Sequence, residues 1–199
     1  MIKEGRIEDQ SKKTERVPEN EARGEWHPII TFVGPEKSFG PDQEIHADEF
    51  GTENVDWISA RWNAKDGQRG NKFYILSRVN SLRKVAEGYY VCSGVAATGA
   101  KRSGGETVSF LTHQFPNSPY DRKFRDDFKE VLKEFMDQTD PEKRSLVVFG
   151  NQTHYLDFLR ESLRAEGLKV EYIQPKADFT RGFEVKLDTP HNRLYITQK

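Results

Sequence analysis

The alternation of hydrophobic and polar positions divides the chain into a series of strand-like runs, two helical patterns and then strands again. The first apolar run rich in β-branched residues covers residues 27–33 and stops at the turn signal Gly34-Pro35. Similar runs bounded by polar or glycine-rich breaks predict four further strands. These are residues 55–62, 72–79, 88–97 and 106–112.

Two of these predicted strands are consecutive in the sequence and joined by one segment. Residues 88–97 and 106–112 are separated by a segment, residues 98–105, that contains three glycines and two cations. This pattern predicts a β-hairpin with a long mobile loop. Residues 34–54 show no period and carry Gly, Pro, Asp and Glu, so we expect them to form a loop.

The hydrophobic period changes after the hairpin and predicts a helix. It begins near Asp121 and ends at Pro141, and its apolar residues recur at steps of three and four. They are Phe124, Phe128, Val131, Leu132, Phe135 and Met136. The short apolar run at residues 145–149 is typical of a strand that is covered on both faces.

A second amphipathic helix follows the sequence Gly150-Asn151-Gln152-Thr153. Asn151 or Thr153 is a candidate N-cap, and Gly167 is placed to end the helix. Its apolar side carries Tyr155, Leu159 and Leu163. Three more strand-like runs, residues 168–173, 183–187 and 193–197, complete the chain. This order of elements predicts an α+β fold with two helices packed on a largely antiparallel sheet.

Composition refines the domain organisation. At 199 residues the chain suits one domain that can bury a core without disulfides or metals. Residues 1–25 hold many charges of both signs and almost no large apolar side chain, so they predict a flexible charged tail. Residues 26–199 are then expected to form a single domain.

Charge and cysteine content narrow the function classes. The formal net charge of −1 lacks the positive footprint of a nucleic-acid binder, and no apolar run is long enough to predict a membrane span. One cysteine cannot form an internal disulfide, and no signal-peptide core is present. We therefore expect a cytoplasmic protein. An effector delivered to a host cytosol by a route other than Sec export fits the same observations.

The only cysteine and one histidine form the candidate catalytic pair. A thiolate is the nucleophilic form of cysteine, and a neighbouring imidazole can lower the thiol pKa and pass its proton to a leaving group. His113 alone among the five histidines lies on the strand expected to pair with the Cys92 strand. Backbone N–H groups near Ser93 and Gly94 are candidates to hold an oxyanion.

A structural role for Cys92 is the competing hypothesis. Free cysteine is among the most buried residue types and usually behaves as a small hydrophobe. In that case the protein is a non-catalytic interaction domain whose charged tail recruits a partner. A thiol pKa at or above the ordinary value, with slow alkylation, favours this hypothesis.

The stretch VCSGVAATGAKRSGGETVSFLTHQFP, residues 91–116, resembles the Cys/His hairpin of the chemoreceptor glutamine deamidases, the CheD family. It is also similar to the cytotoxic necrotizing factor toxins and the amino-terminal asparagine amidohydrolases. The later sequence SLVVFGNQ, followed by a helix, is similar to a strand, glycine turn and helix of those families. The matching hairpin residues are Cys92, Val95, Ala96, Gly104, Gly105, Leu111 and His113.

This resemblance implies a layered α/β/β sandwich and a cofactor-free amidase acting on a protein substrate. It implies that the Cys92 thiolate attacks a Gln or Asn side-chain amide, that His113 protonates the departing ammonia, and that water hydrolyses the thioester. The chain departs from those families at Gly150-Asn151, where they carry two glycines, and in a longer loop. Their third polar residue has no firm match here: Ser109 or a residue before Cys92 is as good a candidate as Thr112, which should point to the opposite strand face.

The remaining signals have simpler interpretations. His154 fits a capping or surface role, and His27, His46 and His191 lack metal-site spacing, so we expect no metal. Lys101 and Arg102 can steer an acidic protein toward the dyad, although a solvated loop is the simpler expectation. Three tryptophans fit core or rim positions better than a ligand cage: Trp26, Trp57 and Trp62.

Overall fold

A computed structural model describes residues 26–35, 55–58, 68–71, 74–77, 79, 83–89, 91–150, 153–173 and 182–198. The predicted tail and residues 36–54 of the predicted loop lie outside these ranges, and Gly34 and Pro35 belong to the first strand. The described strands are β1 (Ile30–Pro35), β2 (Val55–Ile58), β3 (Gln68–Asn71), β4 (Tyr74–Ser77), β5 (Arg83–Tyr89), β6 (Ser93–Lys101), β7 (Thr107–Gln114), β8 (Thr139–Gly150), β9 (Val170–Ile173), β10 (Phe183–Asp188) and β11 (Arg193–Gln198). The described α-helices are α1 (Arg122–Gln138) and α2 (Thr153–Ala165), and a short 3₁₀ helix spans Ser118–Tyr120. No described helix is long and apolar enough to cross a membrane.

The strands form two sheets. One has the order β1-β11-β10-β5-β2, and the other has the order β3-β4-β7-β6-β8-β9. Strands β1 and β11, β2 and β5, and β8 and β9 pair in parallel, while the other described pairs are antiparallel. The predicted α+β class with a largely antiparallel arrangement is therefore confirmed.

Strand alternation creates two cores and hence three layers. Val95 and Val148 point from the six-stranded sheet into the core shared with α1 and α2. Ala96 and Phe149 lie on the other face, in the core that also contains Val185 and Leu194 of the five-stranded sheet. The helices thus cover one face of the six-stranded sheet, and the five-stranded sheet covers the other, in an α/β/β arrangement.

The two helices begin close to the predicted residues, but α1 ends at Gln138, before the predicted end at Pro141, which lies inside β8. The Asp121 side chain accepts a hydrogen bond from the Phe124 backbone N–H at 3.1 Å, which satisfies one of the free donors of the first turn of α1. Gly167 adopts a φ of +76° after α2, and its N–H donates to the carbonyl of Arg164 at 2.9 Å. Burying each large apolar side chain of α1 contributes about 1.5–3 kcal/mol. The fully or nearly fully buried ones are Phe124, Phe128, Val131, Leu132 and Phe135.

The predicted single strand at residues 88–97 is wrong, because the chain changes sheets inside it. Strand β5 ends at Tyr89 in the five-stranded sheet, and β6 begins at Ser93 in the six-stranded sheet. The predicted hairpin of β6 and β7 is confirmed, but its loop is shorter than expected and spans residues 102–106. Backbone hydrogen bonds from Lys101 to Glu106 and from Gly104 to Lys101 close this turn.

Candidate active site

Cys92 lies at the point where the chain passes from one sheet to the other. It directly precedes β6 and packs between the sheets, where 3% of its surface is exposed. Its neighbour Val91 is 40% exposed, so the sulfur sits one residue inside the protein surface. We call this the Cys92 end of the sandwich.

His113 lies on the neighbouring strand, on the same face of the six-stranded sheet. Ser93 pairs with Gln114, and Ala96 pairs with Leu111, so the side chains that share the inter-sheet face include Cys92, Leu111 and His113. In this register Cys92 and His113 are diagonal neighbours, whose backbones are about 7–8 Å apart. The hairpin therefore places the two residues on one face of the sheet as diagonal neighbours.

Aromatic rings surround the imidazole of His113. The Tyr89 ring stacks on it with centroids 4.1 Å apart, and the Phe115 ring lies parallel on a centroid distance of 6.2 Å. Tyr89 also stacks on Phe183 and contacts Phe149 edge to face. The Tyr89 hydroxyl donates to the Thr112 carbonyl at 2.7 Å, which holds the ring across the Cys92 end.

The imidazole of His113 has no hydrogen-bond partner at either ring nitrogen, although the residue is 2% exposed. A buried polar atom without a partner costs about 1–3 kcal/mol, so such a group requires a physical or functional reason. Because neither nitrogen is satisfied, the ring also makes no hydrogen bond to the Cys92 sulfur in this conformation.

Burial shifts both candidate groups toward their neutral forms. It raises the pKa of the Cys92 thiol to about 12, and a hydrogen bond with the Val91 backbone opposes only part of that rise. It lowers the pKa of the His113 imidazole to about 4. At neutral pH the pair is therefore an uncharged thiol and an uncharged imidazole. This is the direction expected of a structural cysteine, and it is opposite to the direction that activates a nucleophile.

The structure separates the candidate third residues. Thr112 lies on the face opposite to His113, as strand alternation predicts, and its Oγ1 accepts from the Val95 N–H at 2.8 Å. Ser109 shares the face of His113 but lies four residues away, about 13 Å along the strand. It accepts from the Lys84 ammonium at 2.9 Å and contacts the Thr189 hydroxyl at 2.6 Å. The structure does not bring Ser109 to Cys92.

Ser93 and Gly94, the two residues that follow Cys92, have different surroundings. Ser93 is 2% exposed, and its hydroxyl has no hydrogen-bond partner. A Cβ at Gly94 would lie 2.5 Å from the Phe149 ring and 2.6 Å from the Thr112 carbonyl oxygen. The absence of a side chain at Gly94 therefore admits the Phe149 ring.

The sequence analysis missed Tyr89, Phe149 and Gln114. Gln114 is fully buried beside His113, pairs with Ser93 across the hairpin, and has no partner at its amide oxygen or nitrogen. Ser93 and Gln114 therefore form a second group of unpaired polar atoms near Cys92, on the opposite face of the six-stranded sheet from Cys92 and His113. The polar pair Gln114 and His113 within an apolar strand was the available signal.

The other candidates lie elsewhere. His46 and the side chain of His154 lie outside the described residues, His27 is exposed, and His191 pairs with Asp188 at 2.8 Å. Within the described ranges no three His, Cys, Asp or Glu side chains are grouped to hold a metal ion.

The position of Lys101 and Arg102 does not support the steering role that was the alternative to a solvated loop. They lie at the far end of β6, roughly 26 Å from Ser93 at 3.3 Å per residue. Lys101 forms an ion pair with Glu106, and Arg102 donates to the carbonyls of Thr139 and Met136 at the end of α1. Both cations therefore interact with groups at their own end of the sheet.

Comparison with models of known protein families and with curated proteins finds no match to this chain.

Proposed function

We propose that this protein is a cysteine-dependent amidase that deamidates a Gln or Asn side chain of a protein substrate. Cys92 is the nucleophile and His113 is the general acid and base. The observation that carries the proposal is the His113 imidazole, which is buried on the same sheet face as the only cysteine and has no hydrogen bond at either nitrogen. A proton-transfer group has to keep a nitrogen free for its reaction partner.

The reaction needs no cofactor. The Cys92 thiol gives its proton to His113 as the sulfur attacks the amide carbon, and the tetrahedral intermediate loses ammonia with the proton that His113 returns. Water then attacks the thioester, His113 accepts its proton, and the products are a carboxylate and the restored thiol. If an amine enters before water, the same thioester yields a transamidated side chain.

Two structural facts support this proposal and two oppose it. The α/β/β layers are those that the deamidase resemblance implies, and the hairpin brings the cysteine and histidine to one sheet face. Against it, Cys92 is 3% exposed and its pKa is raised. The amidase therefore works only if the aromatic cover of Tyr89 and Phe149 moves when substrate binds, which would expose the thiol and restore its acidity.

The labelling part of the test does not depend on knowing the substrate. We expect iodoacetamide to label Cys92 in the folded protein faster than global unfolding permits, and His113→Gln should change the pH dependence of this native-state labelling beyond what its effect on stability accounts for. His27→Gln, which removes an exposed imidazole at the other end, is the matched control and should label as the wild type does. Cys92→Ala should abolish both labelling and ammonia release from casein while the circular dichroism spectrum stays native.

A second candidate function is a non-catalytic interaction domain with a structural cysteine. The burial of Cys92 in an apolar core and its raised pKa favour this candidate specifically. It predicts that labelling occurs only through global unfolding, so that in the wild type and in His113→Gln alike the labelling rate and its pH dependence follow the measured free energy of unfolding, an outcome that would rule out the amidase. Under either function we propose a cytoplasmic protein, or one delivered to a host cytosol, that acts on another protein.

A further inference from the structure

The end of the sandwich opposite Cys92 contains a cleft of about 890 Å³. It is bounded by the β6–β7 turn, the β10–β11 turn at residues 189–192, the start of β8, and the segment Trp26–His27. We call it the hairpin-end cleft. Its volume lies within the range of about 300–1,000 Å³ that small-molecule sites occupy.

Cations predominate on the walls of this cleft. Lys101, Arg102, Lys143 and Arg193 line it, against the carboxylates Glu106 and Asp140. Glu106 is already paired with Lys101, and Arg102 is bound to the carbonyls at the end of α1. Within the described part of the chain, Lys143 and Arg193 form no ion pair. Two full positive charges are therefore available to an anion.

A buried acceptor in the cleft wall also lacks a donor. Asn192 is 4% exposed and has a φ of 50°, and its Nδ2 donates to the His27 carbonyl at 3.0 Å while its Oδ1 has no partner. Asparagine adopts this backbone conformation readily in turns, so the φ of Asn192 fits its place in the β10–β11 turn. The unpaired Oδ1 is an acceptor and requires a hydrogen-bond donor, which a ligand hydroxyl group supplies.

We propose that the hairpin-end cleft binds a small phosphate monoester that carries hydroxyl groups, the chemistry of a sugar phosphate. Lys143 and Arg193 hold the phosphate, and a ligand hydroxyl donates to Asn192 Oδ1. The volume favours a small molecule over an acidic polypeptide segment, which would need a longer groove. This site is independent of the amidase proposal, because it lies at the opposite end of β6.

Calorimetric titration of the full chain with glucose 6-phosphate tests this site, with inorganic phosphate and glucose as the two part-ligands. We expect glucose 6-phosphate to bind more tightly than either. Arg193→Gln and Lys143→Gln should each weaken binding about tenfold, the effect of losing one charge-assisted hydrogen bond. Lys143 and Arg193 are both exposed, so the folded state should persist in both variants.

Lys169→Gln, which removes an exposed charge away from the cleft, is the matched control and should leave binding unchanged, as should Cys92→Ala. Three results would overturn the proposal: no binding of glucose 6-phosphate at millimolar concentrations, equal weakening by Lys169→Gln, or unchanged binding in both cleft variants. Equal affinity for inorganic phosphate would overturn the assigned ligand class.

Discussion

The two ends of the sandwich differ in the burial of their polar side chains. At the Cys92 end, the thiol is buried between the sheets and aromatic rings stack on the imidazole of His113, while Ser93 and Gln114 are buried on the opposite face of the six-stranded sheet. The side chains of His113, Ser93 and Gln114 have no hydrogen-bond partner. At the hairpin end, charged side chains face an open cleft. The reactive groups are thus at the closed end and the accessible space is at the open end. Neither accessibility nor reactive chemistry alone identifies a functional site in this protein.

The largest expected effect comes from removing the cover at the closed end. Phe149→Ala deletes a fully buried ring that lies over Gly94 and contacts Tyr89, so we expect a loss of about 3–5 kcal/mol in the free energy of unfolding. It should also speed iodoacetamide labelling of Cys92 in the folded state. Urea denaturation and labelling under native conditions measure the two effects.

Phe135→Ala provides a matched control, because Phe135 is equally buried but belongs to the core beneath the helices. It should lose a similar free energy of unfolding while labelling of Cys92 follows global unfolding alone. Equal labelling rates in the two variants, corrected for stability, would show that Phe149 does not cover the thiol.

The next effect concerns acid. His113 stays neutral in the folded protein down to about pH 4, whereas in the unfolded chain it takes up a proton near its ordinary pKa of 6.5. Acidification through this window therefore favours unfolding, and stability lost between pH 6.5 and 4 amounts to about 3 kcal/mol. His113→Phe, which retains an aromatic ring against Tyr89, should remove this part of the acid response. Urea midpoints at pH 7 and pH 4 measure the difference.

His27→Gln should keep most of that acid response, because its imidazole is exposed. If His113→Phe and the wild type lose stability in parallel on acidification, then the imidazole is solvated in solution. The closed end would in that case be more open than the structure indicates.

The smallest expected effect lies at the open end. Asn192→Ala loses the hydrogen bond to the His27 carbonyl and places an ordinary residue at a φ of 50°, so it should cost about 2 kcal/mol. Asn192→Gly loses only the hydrogen bond and should cost about 1 kcal/mol. Thermal unfolding compares the two variants. Equal losses would show that backbone conformation at Asn192 contributes little.

Local sequence patterns predicted the elements better than their assembly. The helices followed from the spacing of apolar residues around Phe128 and from the stop signal at Gly167, because these act over a few residues. The chain's change of sheet between Tyr89 and Ser93 left no turn signal in the apolar sequence GYYVCSG, so one strand was predicted where two exist. The short strand β3 was also missed, because its sequence QRGN contains no apolar residue that would indicate a strand.

The candidate site was predictable only in part. Hairpin pairing and strand alternation placed Cys92 and His113 on one face and Thr112 on the other. The covering rings come from distant parts of the chain, Phe149 from β8 and Phe183 from β10, and no local pattern specifies that contact. Lys84, which is fully buried and reaches Ser109 from the other sheet, is equally dependent on assembly.

The passage of the chain from one sheet to the other has a practical consequence. Because Cys92 belongs to this connection and packs between the layers, its sulfur meets solvent only when the layers separate locally or the whole domain unfolds. The single thiol is therefore a native reporter of breathing between the two sheets. Its exchange kinetics can be followed without introducing any label site.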